Sequence, residues 1–239
     1  MGVFAIKKAC SLFPLWGLSL TFLCLFLPAL SGCHYTEGVS TTMMPEGGVV
    51  LNRLAVLPFR EIIPEDAAAK MVSCPLCGAV FSTEKFTDAS LSVASVENIF
   101  LESLREHKKL TLLAPDSTSE VSRRFTASLK VPLPGILRQV GAELEADGIL
   151  IGYVFRYRER KGYAYSVENP ASVAFDIHLV RASDGLVVWR GAFDKTQRSL
   201  MEDIFQLSAF FNRGGKWITA GELTKEGVGE ILKTFPGID

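Results

Sequence analysis

Residues 171–193, ASVAFDIHLVRASDGLVVWRGAF, hold two alternating segments around one turn signal. In the first, Val173, Phe175, Ile177 and Leu179 face one way, and Ser172, Ala174, Asp176 and His178 the other, the period of two that a strand imposes. In the second, Val187, Trp189 and Phe193 share a side. A two-residue loop at Asp184-Gly185 would set Val180 against Trp189 and Leu179 against Arg190, mixing the apolar face of each strand with the polar face of the other. A three-residue loop, Ser183 to Gly185, instead pairs Leu179 with Trp189, Phe175 with Phe193 and His178 with Arg190. Register follows the buried face, so the three-residue loop is expected, with Gly185 in the left-handed position of a bulge turn.

Upstream, GILIGYVFRYRER (148–160) alternates as well, with Ile149, Ile151, Tyr153, Phe155 and Tyr157 on one expected face, and completes a three-strand meander. Earlier still, VVLNRLAVLPF (49–59) reads as a strand stopped by Pro58, and LTLLAP (110–115) as a shorter one. Helical spacing covers residues 89–108, a region from Ser117 that pauses at VPLPG, residues 135–146, residues 200–211 and residues 221–235. Strand, helix, strand, helix, meander, helices is the order of an α/β fold with a mixed sheet, at least one face of which the amphipathic helices must cover.

The amino-terminal stretch is of another kind. Lys7 and Lys8 precede a run, Ala9 to Leu30, with no ionisable side chain except the thiols of Cys10 and Cys24. A short basic region followed by an apolar one is a secretory signal, with the lysines retained on the cytoplasmic side. A plain membrane anchor needs ~20 apolar residues and would also fit the length, but Pro14, Gly17 and Pro28 interrupt the run. The run ends in Leu30-Ser31-Gly32-Cys33, which resembles a bacterial lipoprotein lipobox. That resemblance implies a diacylglyceryl thioether on Cys33, cleavage before it, and acylation of the new amino terminus. The expected organisation is a signal peptide over 1–32, a lipidated tether over 33–48 and one α/β domain over 49–239. His34 in place of an Asp after the anchor resembles lipoproteins released to the outer membrane, with the body on its periplasmic face.

With 25 basic and 26 acidic residues the chain lacks the strong positive charge of a general nucleic-acid binder. The stretches RLAVLPF (53–59), AELEADGILIGYV (142–154), PASVAFDIHLVRASDGLVVWRGAFDKTQRSL (170–200) and GGKWITAGEL (214–223) together resemble bacterial lipoproteins with a TolB N-terminal-like domain, the CsgG–PelC group. The resemblance implies an α/β sandwich without a catalytic centre or cofactor, assembly into homo-oligomers or envelope complexes, and a part in export or secretion. No long amphipathic hairpin pair of the kind that lines the curli channel is present, which argues against a pore.

CPLCG (74–78) is the one motif that points to chemistry. A single C-x-x-C is half of a zinc-ribbon site, which needs a second pair or added histidines. The chain has no second pair, and its histidines are His34, His107 and His178. A loop-closing disulfide between Cys74 and Cys77, or a pair of idle thiols, is therefore the expectation, with no metal site; a redox or metal-binding module on that pair is the alternative. Arg156, Arg158, Arg160 and Lys161 form a basic strand end, a solvated surface or a contact for anions or a partner subunit. Asp176 and His178 read as a surface pair, since no triad signature accompanies them. Residues 212–217, NRGGKW, lack P-loop spacing and read as a helix stop and linker. Trp189 and Trp217 are expected in the core or an interface.

Overall fold

Three long antiparallel strands carry the sheet: β7 (Gly148–Arg158), β10 (Ser172–Arg181) and β11 (Val187–Thr196). The computed structural model describes residues 38–43, 50–66, 68–83, 89–106, 110–126, 133–197 and 216–237. In chain order the other strands are β1 (Gly38–Met43), β2 (Arg53–Val56), β3 (Arg60–Glu61), β4 (Met71–Ser73), β5 (Val80–Ser82), β6 (Thr111–Leu113), β8 (Lys161–Tyr163) and β9 (Ser166–Asn169). The helices are α1 (Ala89–Arg105), α2 (Pro115–Thr126), α3 (Leu133–Leu144) and α4 (Ala220–Leu232). The main sheet runs β1-β11-β10-β7-β2-β6, with β3 also on β7. It is mixed, because β2 is parallel to both β6 and β7 while β1, β11, β10 and β7 alternate in direction.

The expected register of the β10–β11 hairpin is present along its length: Leu179 lies opposite Trp189, Phe175 opposite Phe193 and His178 opposite Arg190. The turn differs in detail. Arg181 N–H bonds to the Leu186 carbonyl at 2.9 Å, so four residues, 182–185, make the loop, and the register shifts by one between Leu179 and Val180. Gly185 takes φ 75°, the left-handed value foreseen for it.

Two departures concern the strands themselves. Residues 38–43, expected within a tether, form an edge strand antiparallel to β11. In β7, Ala174 pairs with Arg156 and Phe175 with Val154, so Phe155 is an extra residue in a bulge. The bulge reverses the alternation beyond it, and Tyr157 packs with Leu150 and Val154 rather than with Phe155. The helical segment expected over 200–211 lies outside the described residues.

Both faces of the sheet are covered. Against one lie α1 and α4, enclosing Leu54, Val56, Leu150, Phe175, Ile177, Leu179, Trp189 and Phe193 in an apolar layer. A capping box starts α4, with Thr219 accepting from Glu222 N–H and the Glu222 carboxylate accepting from Thr219 N–H. Close approach is possible there because Gly227 has no Cβ; one would stand 2.6 Å from Cγ of Phe193. The other face carries Ile149, Ile151, Tyr153, Phe155, Ala174, Val180 and Ala192, under α3, Val121 of α2 and the small β4–β5 hairpin. Phe81 of that hairpin stacks on Phe155 with ring centroids 4.1 Å apart.

Candidate functional site

The CPLCG stretch forms the turn of the β4–β5 hairpin. Cys74 N–H bonds to the Ala79 carbonyl at 2.7 Å and Gly78 N–H to the Cys74 carbonyl at 2.9 Å. Gly78 has φ 74°, a backbone state that a residue with a Cβ enters only at a cost. The tight turn brings backbone N–H groups onto both sulfurs, those of Leu76 and Cys77 onto Cys74 Sγ and that of Ala79 onto Cys77 Sγ.

The hairpin closes over the β10 face that carries Asp176 and His178. Two residues apart on a strand, they project to the same side. Both are fully buried, so the expectation of a surface pair is corrected: the face opposite Phe175 and Ile177 is a second interior. Cys77 Sγ lies 3.4 Å from Asp176 Oδ2, His178 Nε2 lies 3.6 Å from the same oxygen, and Cys74 Sγ is 3.9 Å from His178 Nε2. Cys74 is buried, Cys77 is exposed, and both thiols are free.

Arg190 reaches the cluster from β11. Its Nε donates to Asp176 Oδ2 at 3.0 Å and stands 2.9 Å from Oδ1. Tyr153, opposite Asp176 on β7, sets its ring edge-on to His178 at 6.2 Å. Burial pushes the Asp176 carboxyl up to about 6 against the opposing pull of His178 and Arg190. Hydrogen bonding from the Cys74 side chain holds the Cys77 thiol far below its ordinary range, and the same contact, with burial, pushes Cys74 up. Burial likewise raises Tyr153, to about 12.

The basic strand end does not form one patch. Arg156 is only 2% exposed and turns inward at the bulge, where its Nη2 lies 2.5 Å from Asp194 Oδ1 and its Nε donates to Ser172 Oγ at 2.6 Å. The expected contact with anions or a partner is therefore closed to it. Arg158 Nε donates to the Pro170 carbonyl at 3.1 Å, Arg160 donates to the Trp217 carbonyl, and Lys161 is exposed at the start of β8. Trp189 is fully buried, its Nε1 donating to Thr234 Oγ1 at 3.1 Å. Cys33 lies outside the described residues.

Reading the sequence separated what the fold unites: Cys74 and His178 are 104 residues apart and Cys77 and Asp176 are 99 apart. One signal was available, since the hairpin register already placed Arg190 opposite His178. Cys74, Cys77, Asp176 and His178 form a group whose ligand atoms all lie within 4.8 Å of one another. Two thiols, an imidazole and a carboxylate are donors of the type that hold a borderline-soft dication.

No family model and no curated protein matches the chain. Among solved structures it is similar to the PelC dodecamer from Paraburkholderia phytofirmans, at 14% identity, covering 81% of this chain and 93% of that one, with a TM-score of 0.43. It is also similar to the hypothetical protein CT253 from Chlamydia trachomatis, at 15% identity over 79% of this chain and 98% of that one, TM-score 0.43. A third similarity is to the lipoprotein GNA1162 from Neisseria meningitidis, at 13% identity over 68% and 96%, TM-score 0.36. At these values none of them assigns a residue or a role to this chain.

Proposed function

We propose that this protein is a lipid-anchored periplasmic lipoprotein of the outer membrane, non-enzymatic, acting in the assembly or scaffolding of an envelope export complex. The observation that carries the reading is the sequence Lys7-Lys8, an uncharged run, and Leu30-Ser31-Gly32-Cys33. With β1 beginning at Gly38, four residues separate the modified sulfur from the sheet, a span of about 17 Å at full extension. A body on so short a leash is held at the membrane surface, as a scaffold requires. Two or three acyl chains, at ~0.8 kcal/mol per buried methylene, hold it there durably.

Self-association is supported by the sheet edge. Among the described residues β1 pairs only with β11, and Val39 and Met43 on it are exposed, which suits the edge to pairing with a neighbouring strand. The non-enzymatic reading is supported by the full burial of Asp176 and His178.

Mass spectrometry of the protein isolated from its own membrane tests the anchor. The expected amino-terminal peptide begins at Cys33 and carries a diacylglyceryl group; an intact leader with a free Cys33 thiol would overturn the reading. Light scattering of the detergent-extracted protein and cross-linking in cells test the scaffold role, for which a strict monomer without partners is the contrary result.

A further inference from the structure

At the turn of the β4–β5 hairpin and on the strand face beneath it, four side chains bring their ligand atoms within 4.8 Å of one another. A four-coordinate zinc ion with bonds of about 2.0–2.3 Å keeps its ligand atoms about 3.3–3.8 Å apart, the edge of the tetrahedron. The separations here are 3.4 Å for Cys77 Sγ to Asp176 Oδ2, 3.6 Å for His178 Nε2 to Asp176 Oδ2, and 3.9 Å for Cys74 Sγ to His178 Nε2. The imidazole–carboxylate distance is beyond an N–H···O hydrogen bond, which falls at about 2.7–3.2 Å. We infer that Cys74, Cys77, Asp176 and His178 bind one zinc ion in a closed structural site that fastens the β4–β5 hairpin to β10.

Charge supports this. Two thiolates and a carboxylate bring three negative charges; a dication leaves one, and the Arg190 guanidinium on Asp176 balances it. Asp176 is fully buried, and a buried carboxylate is costly unless cationic partners compensate it. His178 Nε2 faces Cys74 Sγ and Asp176 Oδ2, while its Nδ1 is buried with no hydrogen-bond partner among the described residues. Thiolate and imidazole select zinc-type ions over calcium or magnesium, which take all-oxygen sites. A closed set of four protein ligands leaves no position for substrate, which makes the role structural. A three-residue-per-strand hairpin is marginal by itself, and the ion gives it a directional tie to the sheet.

The test uses the protein isolated from cells, its thiol state read by alkylation before any reductant is added and the metal measurements made on protein then kept reduced. Elemental analysis is expected to find one zinc per chain. Cobalt(II) added after chelation is expected to give a thiolate-to-cobalt charge-transfer band and the intense visible bands of a four-coordinate ion. Asp176→Asn and His178→Ala are each expected to change that spectrum and weaken binding by roughly tenfold or more. Wild-type protein that takes up neither zinc nor cobalt, or a native chain whose Cys74 and Cys77 form a disulfide, would overturn the site. Cobalt bands unchanged in both variants would overturn the four-ligand assignment even if the cysteines bind metal. Because the readout is wild-type first, variants that fail to fold do not decide it, and none of these results depends on lipidation at Cys33.

Discussion

The two faces of the sheet are held by different means. Beneath α1 and α4 the contacts are almost entirely apolar: Phe175 stacks on Phe193 at 5.4 Å, Trp189 meets Phe235 edge-on at 4.9 Å, and Phe59 tilts against Phe100 at 5.9 Å. The opposite face has apolar contacts too, but it also buries Arg156 against Asp194 and encloses Cys74, Asp176 and His178. Long amphipathic helices present a continuous apolar stripe, and burial of that stripe is strong but non-directional. A hairpin with three-residue strands has little apolar area to offer. Hydrogen bonds, an ion pair and ligand bonds are directional, so they fix where such a small element sits. The Thr83 hydroxyl bonding to the Phe155 carbonyl at 2.9 Å, and Arg156 donating to the Ser82 carbonyl at 2.9 Å, act in this way at the bulge.

If the contrast is correct, the largest losses on the two faces come from different chemistry. Trp189→Ala on the helix-covered face should lower stability by about 3–5 kcal/mol, measured by urea unfolding, because it empties a fully buried site. Arg156→Ala on the other face should cost a similar ~3–5 kcal/mol by leaving Asp194 buried and unpaired, although it removes little apolar area. The paired change of Arg156→Met with Asp194→Leu should restore most of that loss. A single-variant cost below ~1 kcal/mol, the range of exposed ion pairs, would erase the distinction between the faces.

Smaller effects sharpen the comparison on the helical side. Gly227→Ala places a methyl group 2.6 Å from Cγ of the Phe193 ring and should cost about 1–3 kcal/mol by overpacking. Thr219→Ala removes the N-cap of α4 and should cost about 1 kcal/mol. Its partner Glu222 adds a pH signature. Hydrogen bonding from the Thr219 backbone holds the Glu222 carboxyl below its ordinary 4.5, so its contribution is complete above that value and is lost as pH falls through the lower folded value. The stability difference between the natural chain and Glu222→Gln should therefore be constant above about pH 4.5 and shrink below it.

Much of the helix-covered face was legible from residue order. The alternation of Val173, Phe175, Ile177 and Leu179 and the requirement that apolar faces meet were enough to pair Phe175 with Phe193 and His178 with Arg190. The bulge at Phe155 was not, since GILIGYVFRYRER alternates without a break and only pairing with β10 shows that one residue is extra. Nor was β1, whose polar GVSTTM has little strand pattern and is ordered by the edge of β11. The short hairpins likewise have too few residues to show a period.

What the sequence determined by itself is therefore whatever depends on neighbours along the chain: the α/β order, the four described helices, the pairing of Leu179 with Trp189 and Phe175 with Phe193, and which side of β10 carries Asp176 and His178. Only the tertiary structure decided that this second side is interior, that Arg156 turns inward, and that CPLCG meets β10 across about a hundred positions. The reason is one of range. Periodicity and turn chemistry act over a few residues, whereas the burial of a polar strand face depends on which distant segment comes to cover it.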